Sequence, residues 1–209
     1  RGLGDVYKRQ MQGTTVYNGV DYSAVYNMSD YLNKNTDVKK AVGGDDLAAI
    51  AHFVNYGMKE GRQASSKFDV NSYRMRYKDL RSAFGYDLAS YYYHYMSSGK
   101  AEGRQATGKV TDIDGVTVYN GVDYAAVYNF NYYVDANPDI KAAFGNDDLA
   151  VLSHFVNYGM KEGRRGCEAF NVLTYREKNG DLKAAFGDDL KQYYIHYMNY
   201  GKNEGRKAA

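Results

Sequence analysis

The sequence predicts a mainly α-helical repeat protein: four units of about three short helices each, in two tandem pairs, with a short β-hairpin ahead of each pair. Three observations carry this. The stretch His154-Phe-Val-Asn-Tyr-Gly-Met-Lys-Glu-Gly-Arg164 recurs letter for letter at His52 to Arg62. A thinner form, His-x4-Gly-x2-Glu-Gly-Arg, stands at His94 to Arg104 and His196 to Arg206, so the four copies hold every histidine in the chain. The third observation is aromatic choice: 24 tyrosines, 8 phenylalanines and no tryptophan. A buried tyrosine fills volume but needs a partner for its hydroxyl, which suits thin layers close to water better than one large core.

Residues 1–10 stand outside this pattern. Asp5-Val-Tyr-Lys-Arg-Gln10 resembles the translation of a transposon-end adapter used in sequencing libraries. The segment is therefore set apart from fold reasoning, and the native N-terminus, with any signal peptide, is expected upstream.

The first hairpin is read from Asn18-Gly19 between Val16-Tyr17 and Val20-Asp21, and it returns 102 residues later at Val118 to Tyr124. The repeats then span 26–62, 68–104, 128–164 and 170–206. Each opens with an aromatic residue followed by a helix cap: Asn27, Asp69, Asn129 or Asn171. Four residues past the cap stands Tyr31, Tyr73, Tyr133 or Tyr175, completing a hydrophobic staple.

A second helix is predicted from Asn137-Pro138-Asp139, with proline where its missing amide costs nothing. It buries the triplets Val38/Ala41/Val42, Leu80/Ala83/Phe84, Ile140/Ala143/Phe144 and Leu182/Ala185/Phe186, and ends at Gly43, Gly85, Gly145 or Gly187 as left-handed caps. The third helix runs from Asp45, Asp87, Asp147 or Asp189 to Gly57, Gly99, Gly159 or Gly201. Leu47, Ile50, Ala51 and Val54 share one face, and His52, Phe53 and Tyr56 the other, so both faces are expected to be covered. Short five-residue joints within pairs, against a long link at 105–127, divide the chain into 14–108 and 109–209.

Composition excludes several classes. The net charge is +2 with signs interspersed, which gives no footprint for nucleic acid or an anionic membrane. No apolar run reaches the roughly 20 residues of a membrane span. Cys167 is alone, aligned with Ser65 of the first pair, and cannot form an internal disulfide. Nucleophile, phosphate-loop and metalloprotease motifs are absent, and no cofactor or metal is expected. The histidines never sit within a turn of another ligand, so zinc is disfavoured, and His52, His94, His154 and His196 are read as interior residues bonded to a carboxylate or a tyrosine hydroxyl. Asp112-Ile-Asp-Gly115 resembles the opening of a calcium loop without its later carboxylates and is read as a turn.

Two groups remain as candidate sites. Arg62, Arg104, Arg164 and Arg206 are expected to clamp Asp37, Asp79, Asp139 and Asp181, with an anion grip as the functional alternative. The runs Tyr91-Tyr92-Tyr93-His94-Tyr95 and Tyr193-Tyr194-Ile195-His196-Tyr197 put aromatics on more faces than a core takes, so Tyr91, Tyr92, Tyr95, Tyr193, Tyr194 and Tyr197 are the candidate ligand-binding rings, against packing between units.

The elements Asn-Gly-Val-Asp-Tyr-Ser at 18–23, Asn-Pro-Asp-Ile at 137–140 and His-Phe-Val-Asn-Tyr-Gly-Met-Lys-Glu-Gly-Arg resemble repeats of secreted and cell-surface proteins of Gram-positive anaerobic bacteria. In those proteins the repeats accompany cell-wall hydrolase, protease-like or adhesive domains, and a looser form stands beside glycosyltransferases. The resemblance covers 14–209 and implies a tethered extracellular module of a longer parent chain. The expectation is a non-catalytic module that attaches its parent at the cell wall or a glycan. The alternative is a structural spacer or protein-interaction stalk, with no membrane insertion in either case.

Overall fold

The computed structural model describes residues 13–209, so the adapter-like segment 1–10 lies outside the described residues. The described chain is mainly helical, with two small antiparallel hairpins, and it divides into two compact modules that meet in sequence at Asp112 and Ile113.

Each hairpin is as short as a hairpin can be. Val16 pairs with Asp21 and Tyr17 with Val20, and in the second module Val118 pairs with Asp123 and Tyr119 with Val122. The turn places both central residues at positive φ, 50° at Asn18 and 79° at Gly19. That is the mirror-image turn whose twist matches the strands, and Asn-Gly is its preferred dipeptide.

Within a repeat, the first helix (Met28–Lys34 in the first copy) is capped by the Asn27 side chain, which accepts from the Asp30 amide. Tyr26 and Tyr31 then pack at 5.6 Å between ring centroids, forming the staple. The second helix, Thr36–Val42, buries less than its triplet predicts: Val38 is interior, Val42 half-buried and Ala41 exposed. The same holds at Leu80, Ile140 and Leu182, because this helix covers the core with one turn only. Asn137 at its start makes no capping bond; its Nδ2 donates to the Tyr133 carbonyl instead. Gly43 follows at φ 61° and ψ −122°, a positive-φ state outside the left-handed helical well that only glycine adopts cheaply.

The third helix departs most from expectation. It is α-helical over Asp46–His52, widens into a π-helical turn over Phe53–Gly57 and resumes as Met58–Glu60 before Gly61, at φ 71°, ends it. The π turn recurs at Tyr95–Gly99, Phe155–Gly159 and Tyr197–Gly201. Ala49, Ile50 and Phe53 are its buried side, whereas Leu47 and Tyr56 are 57% and 59% exposed, so the helix is covered on one side and open on the other.

Each repeat closes on itself. The Asn27 amide donates to the carbonyl of Ala64, two residues past the signature arginine, at 2.7 Å, and Asp69 to Ala106, Asn129 to Gly166 and Asn171 to Ala208 repeat the contact. The helix cap thus has its own backbone amide satisfied by the chain that leaves the repeat.

Candidate functional site

The signature resolves into an inner set of residues that builds the repeat and an outer set that faces solvent. The inner set starts from the staple tyrosine. The Tyr31 hydroxyl lies 2.8 Å from Nδ1 of His52, and Tyr73–His94, Tyr133–His154 and Tyr175–His196 repeat the bond at 2.9, 3.1 and 2.9 Å. Burial pushes the Tyr31 phenol well above its ordinary range and the Tyr175 phenol up to about 12, so both stay protonated. With no other acceptor for that hydrogen among the described residues, the phenol donates to Nδ1, and the imidazole hydrogen resides on Nε2.

Room for this bond explains the glycine of the signature. A Cβ on Gly57 would stand 2.5 Å from the Tyr31 hydroxyl oxygen; Gly99, Gly159 and Gly201 face their own tyrosines at 2.1, 2.4 and 2.0 Å. The π turn sets its glycine directly over the phenol. A widened turn inside a helix is a known means of re-aiming backbone around such a group.

The arginine completes the inner set. Arg62 bonds Asp37 at 2.9 Å through Nη1, reaches the Asn35 side-chain oxygen and pairs with Glu60 through Nε. Asn35 in turn donates to the Tyr31 carbonyl at 2.8 Å, holding the end of the first helix. Arg164 and Arg206 repeat the arrangement with Asn137/Asp139 and Asn179/Asp181. Arg104 pairs with Asp79 but has Tyr77 where the others have asparagine, and its guanidinium lies 4.8 Å over that ring. The Arg62 guanidinium beside Asp37 holds its carboxyl below the usual carboxylate range, and Arg206 does the same to Asp181. Nε and Nη1 of the fork are thus committed to side chains of its own repeat, which is the clamp, and Nη2 makes no bond among the described residues.

The tyrosine runs are corrected by the structure. Tyr91, Tyr92, Tyr193 and Tyr194 are at most 1% exposed and cannot stack on a ligand. Tyr92 belongs to the second repeat but donates to the carbonyl of Arg62 in the first at 2.9 Å, with Phe53 and Phe68 against its ring at 5.6 and 5.0 Å. Tyr194 repeats this between the third and fourth repeats, on Arg164, Phe155 and Phe170. Tyr91 and Tyr193 donate to the carbonyls of Gly85 and Gly187, tying the third helix to the end of the second. Tyr95 and Tyr197 are half-buried against Phe68 and Phe170. A run of adjacent tyrosines looks too aromatic for a core, but the four buried hydroxyls, those of Tyr91, Tyr92, Tyr193 and Tyr194, each donate to a carbonyl, and that makes the burial affordable.

Of the runs only Tyr93 is exposed, and besides it and Tyr86 the exposed aromatics among the described residues recur at one other position. Tyr56, Tyr158 and Tyr200 are 59%, 61% and 60% exposed at the same place in the π turn of three repeats. Each ring leans on the histidine one turn before it, with centroids 5.5, 5.6 and 5.6 Å apart. The second repeat has Ser98 there. Each of these three repeats therefore carries an open phenol ring beside a half-buried imidazole whose Nε2 hydrogen has no partner among the described residues. The signal was present in the sequence: these tyrosines follow the histidine by four residues and precede the glycine directly.

No helix of the described residues is long and apolar enough to cross a membrane, and no group of three or more metal-ligating side chains gathers among them. Comparison with protein-family models, curated proteins and solved structures finds no match for the chain.

Proposed function

We propose that this chain is a non-catalytic binding module of an extracellular surface protein, which holds its parent at the cell wall or a glycan through repeated Tyr–His platforms. One observation carries the reading: Tyr56, Tyr158 and Tyr200 expose about the same large fraction of their rings at equivalent positions, each against its histidine. An exposed aromatic plane beside a polar hydrogen takes the apolar face of a sugar ring while the polar group meets a hydroxyl. Repetition adds strength without new contacts, because weak sites linked on one chain reinforce one another on a polymer.

The inner residues serve this role by making each platform rigid. Histidine is held from behind by its tyrosine, tyrosine by the glycine it covers, and the repeat by its arginine. Co-sedimentation with purified Gram-positive cell walls, before and after their secondary polymers are stripped, tests the proposal. The chain should be retained on one of the two preparations, and the triple variant Y56A/Y158A/Y200A released. Retention of neither protein would favour the spacer reading.

A further inference from the structure

The first module carries a cleft that the repeat signature does not account for. It encloses about 560 Å³, within the few-hundred to thousand range of small-molecule sites, and lies between the strand end at Thr15, the turn at Ser23, the first helix at Asp30 and the joint Ser65-Ser66-Lys67. Its lining is mostly polar. Several of these groups hold one bond and leave a second capacity open. Asp30 accepts the Ser66 amide on Oδ2 at 2.7 Å, leaving Oδ1. Ser23 donates its hydroxyl to Asp21 at 2.9 Å and keeps its lone pairs. The Ser66 hydroxyl and the Lys67 ammonium have no partner among the described residues.

The second module lacks this chemistry at the same positions. Ala125 stands for Ser23, Tyr132 for Asp30, Cys167 for Ser65, Glu168 for Ser66 and Ala169 for Lys67. Arg165 lies 5.6 Å over the Tyr132 ring and donates to the carbonyls of Cys167 and Glu168, so this surface is occupied by the protein's own side chains. The eleven residues from His52 to Arg62 match the second module letter for letter, whereas all five from Gln63 to Lys67 differ from their counterparts Arg165 to Ala169. Among the cleft's lining residues, Ser23, Asp30, Ser65, Ser66 and Lys67 thus differ from their counterparts, whereas Gly13, Thr15, Tyr26 and Asn27 keep theirs in Gly115, Thr117, Tyr128 and Asn129.

We infer that the first module binds a short saccharide in this cleft, at a site separate from the Tyr–His platforms; the inference rests on the glycan reading above for its biological setting but on different residues. A saccharide presents hydroxyls that each donate and accept, and the cleft offers carboxylate and hydroxyl acceptors beside hydroxyl and ammonium donors. One ammonium near one carboxylate is too little positive charge for a phosphate, which draws on several cationic or amide donors. The lining is polar for the most part, with Tyr26 its one aromatic residue and no aliphatic side chain to seat an acyl chain.

The test is amide NMR on the full chain titrated with N,N′-diacetylchitobiose, with maltose, with alanylalanine and with inorganic phosphate. One disaccharide should shift the amides of Ser23, Asp30, Ser66 and Lys67. The variant D30Y/S66E/K67A, built from residues that the second module already tolerates, should weaken that binding at least about tenfold. Y56A/Y158A/Y200A should leave it unchanged, so loss of wall retention with the cleft titration intact would separate the two claims. Shifts by the dipeptide or phosphate alone, no shift by either sugar, or sugar binding undiminished in D30Y/S66E/K67A would each overturn the assignment.

Discussion

At the scale of single residues, the tightest constraint is a glycine. Gly57 sits under the Tyr31 hydroxyl with no room for a methyl group, and the phenol cannot retreat without giving up Nδ1 of His52. Gly57→Ala should cost about 1–3 kcal/mol, as overpacking does in a filled interior, read as a lower denaturation midpoint. Histidine supplies a second residue-scale effect. Burial lowers the pKa of His154 from its ordinary 6.5, with Arg164 adding to the shift. A base whose folded pKa is depressed binds fewer protons folded than unfolded, so stability is full above 6.5 and declines as pH falls below it. Thermal melts from pH 7.5 down to 5 should show the melting temperature falling below about 6.5, and His154→Gln should flatten that decline. The histidines are legible in the sequence as bonded to a carboxylate or a tyrosine hydroxyl, and each bonds a tyrosine; the glycine's place against that phenol is not legible. The letters place tyrosine, histidine and glycine, but an i to i+5 turn has no compositional mark, and without it the phenol and the glycine do not meet.

At the scale of elements, the hairpins, the staples and the order of short helices were legible because each rests on local chemistry: an Asn-Gly turn, an aromatic flanking a cap, a glycine at positive φ. The third helix was misjudged for a local reason as well. Gly57 reads as a stop, yet its φ is −57° and the helix runs through it to Gly61. The wheel drawn for a uniform α-helix then misplaces Tyr56, since the extra residue of the π turn rotates what lies within and beyond it; Leu47 stands ahead of that turn, and its exposure is not explained by it. The tyrosine runs failed as site predictors because adjacency hides partners that lie across the repeat boundary. Tyr92 is the test case: it joins two repeats through a carbonyl and two rings. Tyr92→Ala should cost about 3–5 kcal/mol, in line with other large aromatic deletions. Tyr92→Phe keeps the ring, loses one hydrogen bond and should cost about 1 kcal/mol. Equal losses in chemical denaturation would mean that the ring contributes nothing to the union of repeats.

At the scale of the molecule, four copies of one clamp hold the interior of four repeats, while three copies of one exposed pair face outward. A repeat cannot bury its own face, so stability comes from joining neighbours and the solvent side is left free to vary. That division makes the functional claim separable from the structural one. The measurement that bears on it most directly is wall retention and melting temperature on the same samples of wild type and Y56A/Y158A/Y200A. The account predicts that retention is lost while the melting temperature moves by no more than the few degrees that exposed substitutions cause. Retention undiminished in the triple variant, with the fold intact, would contradict it and take the binding surface away from the Tyr–His platforms.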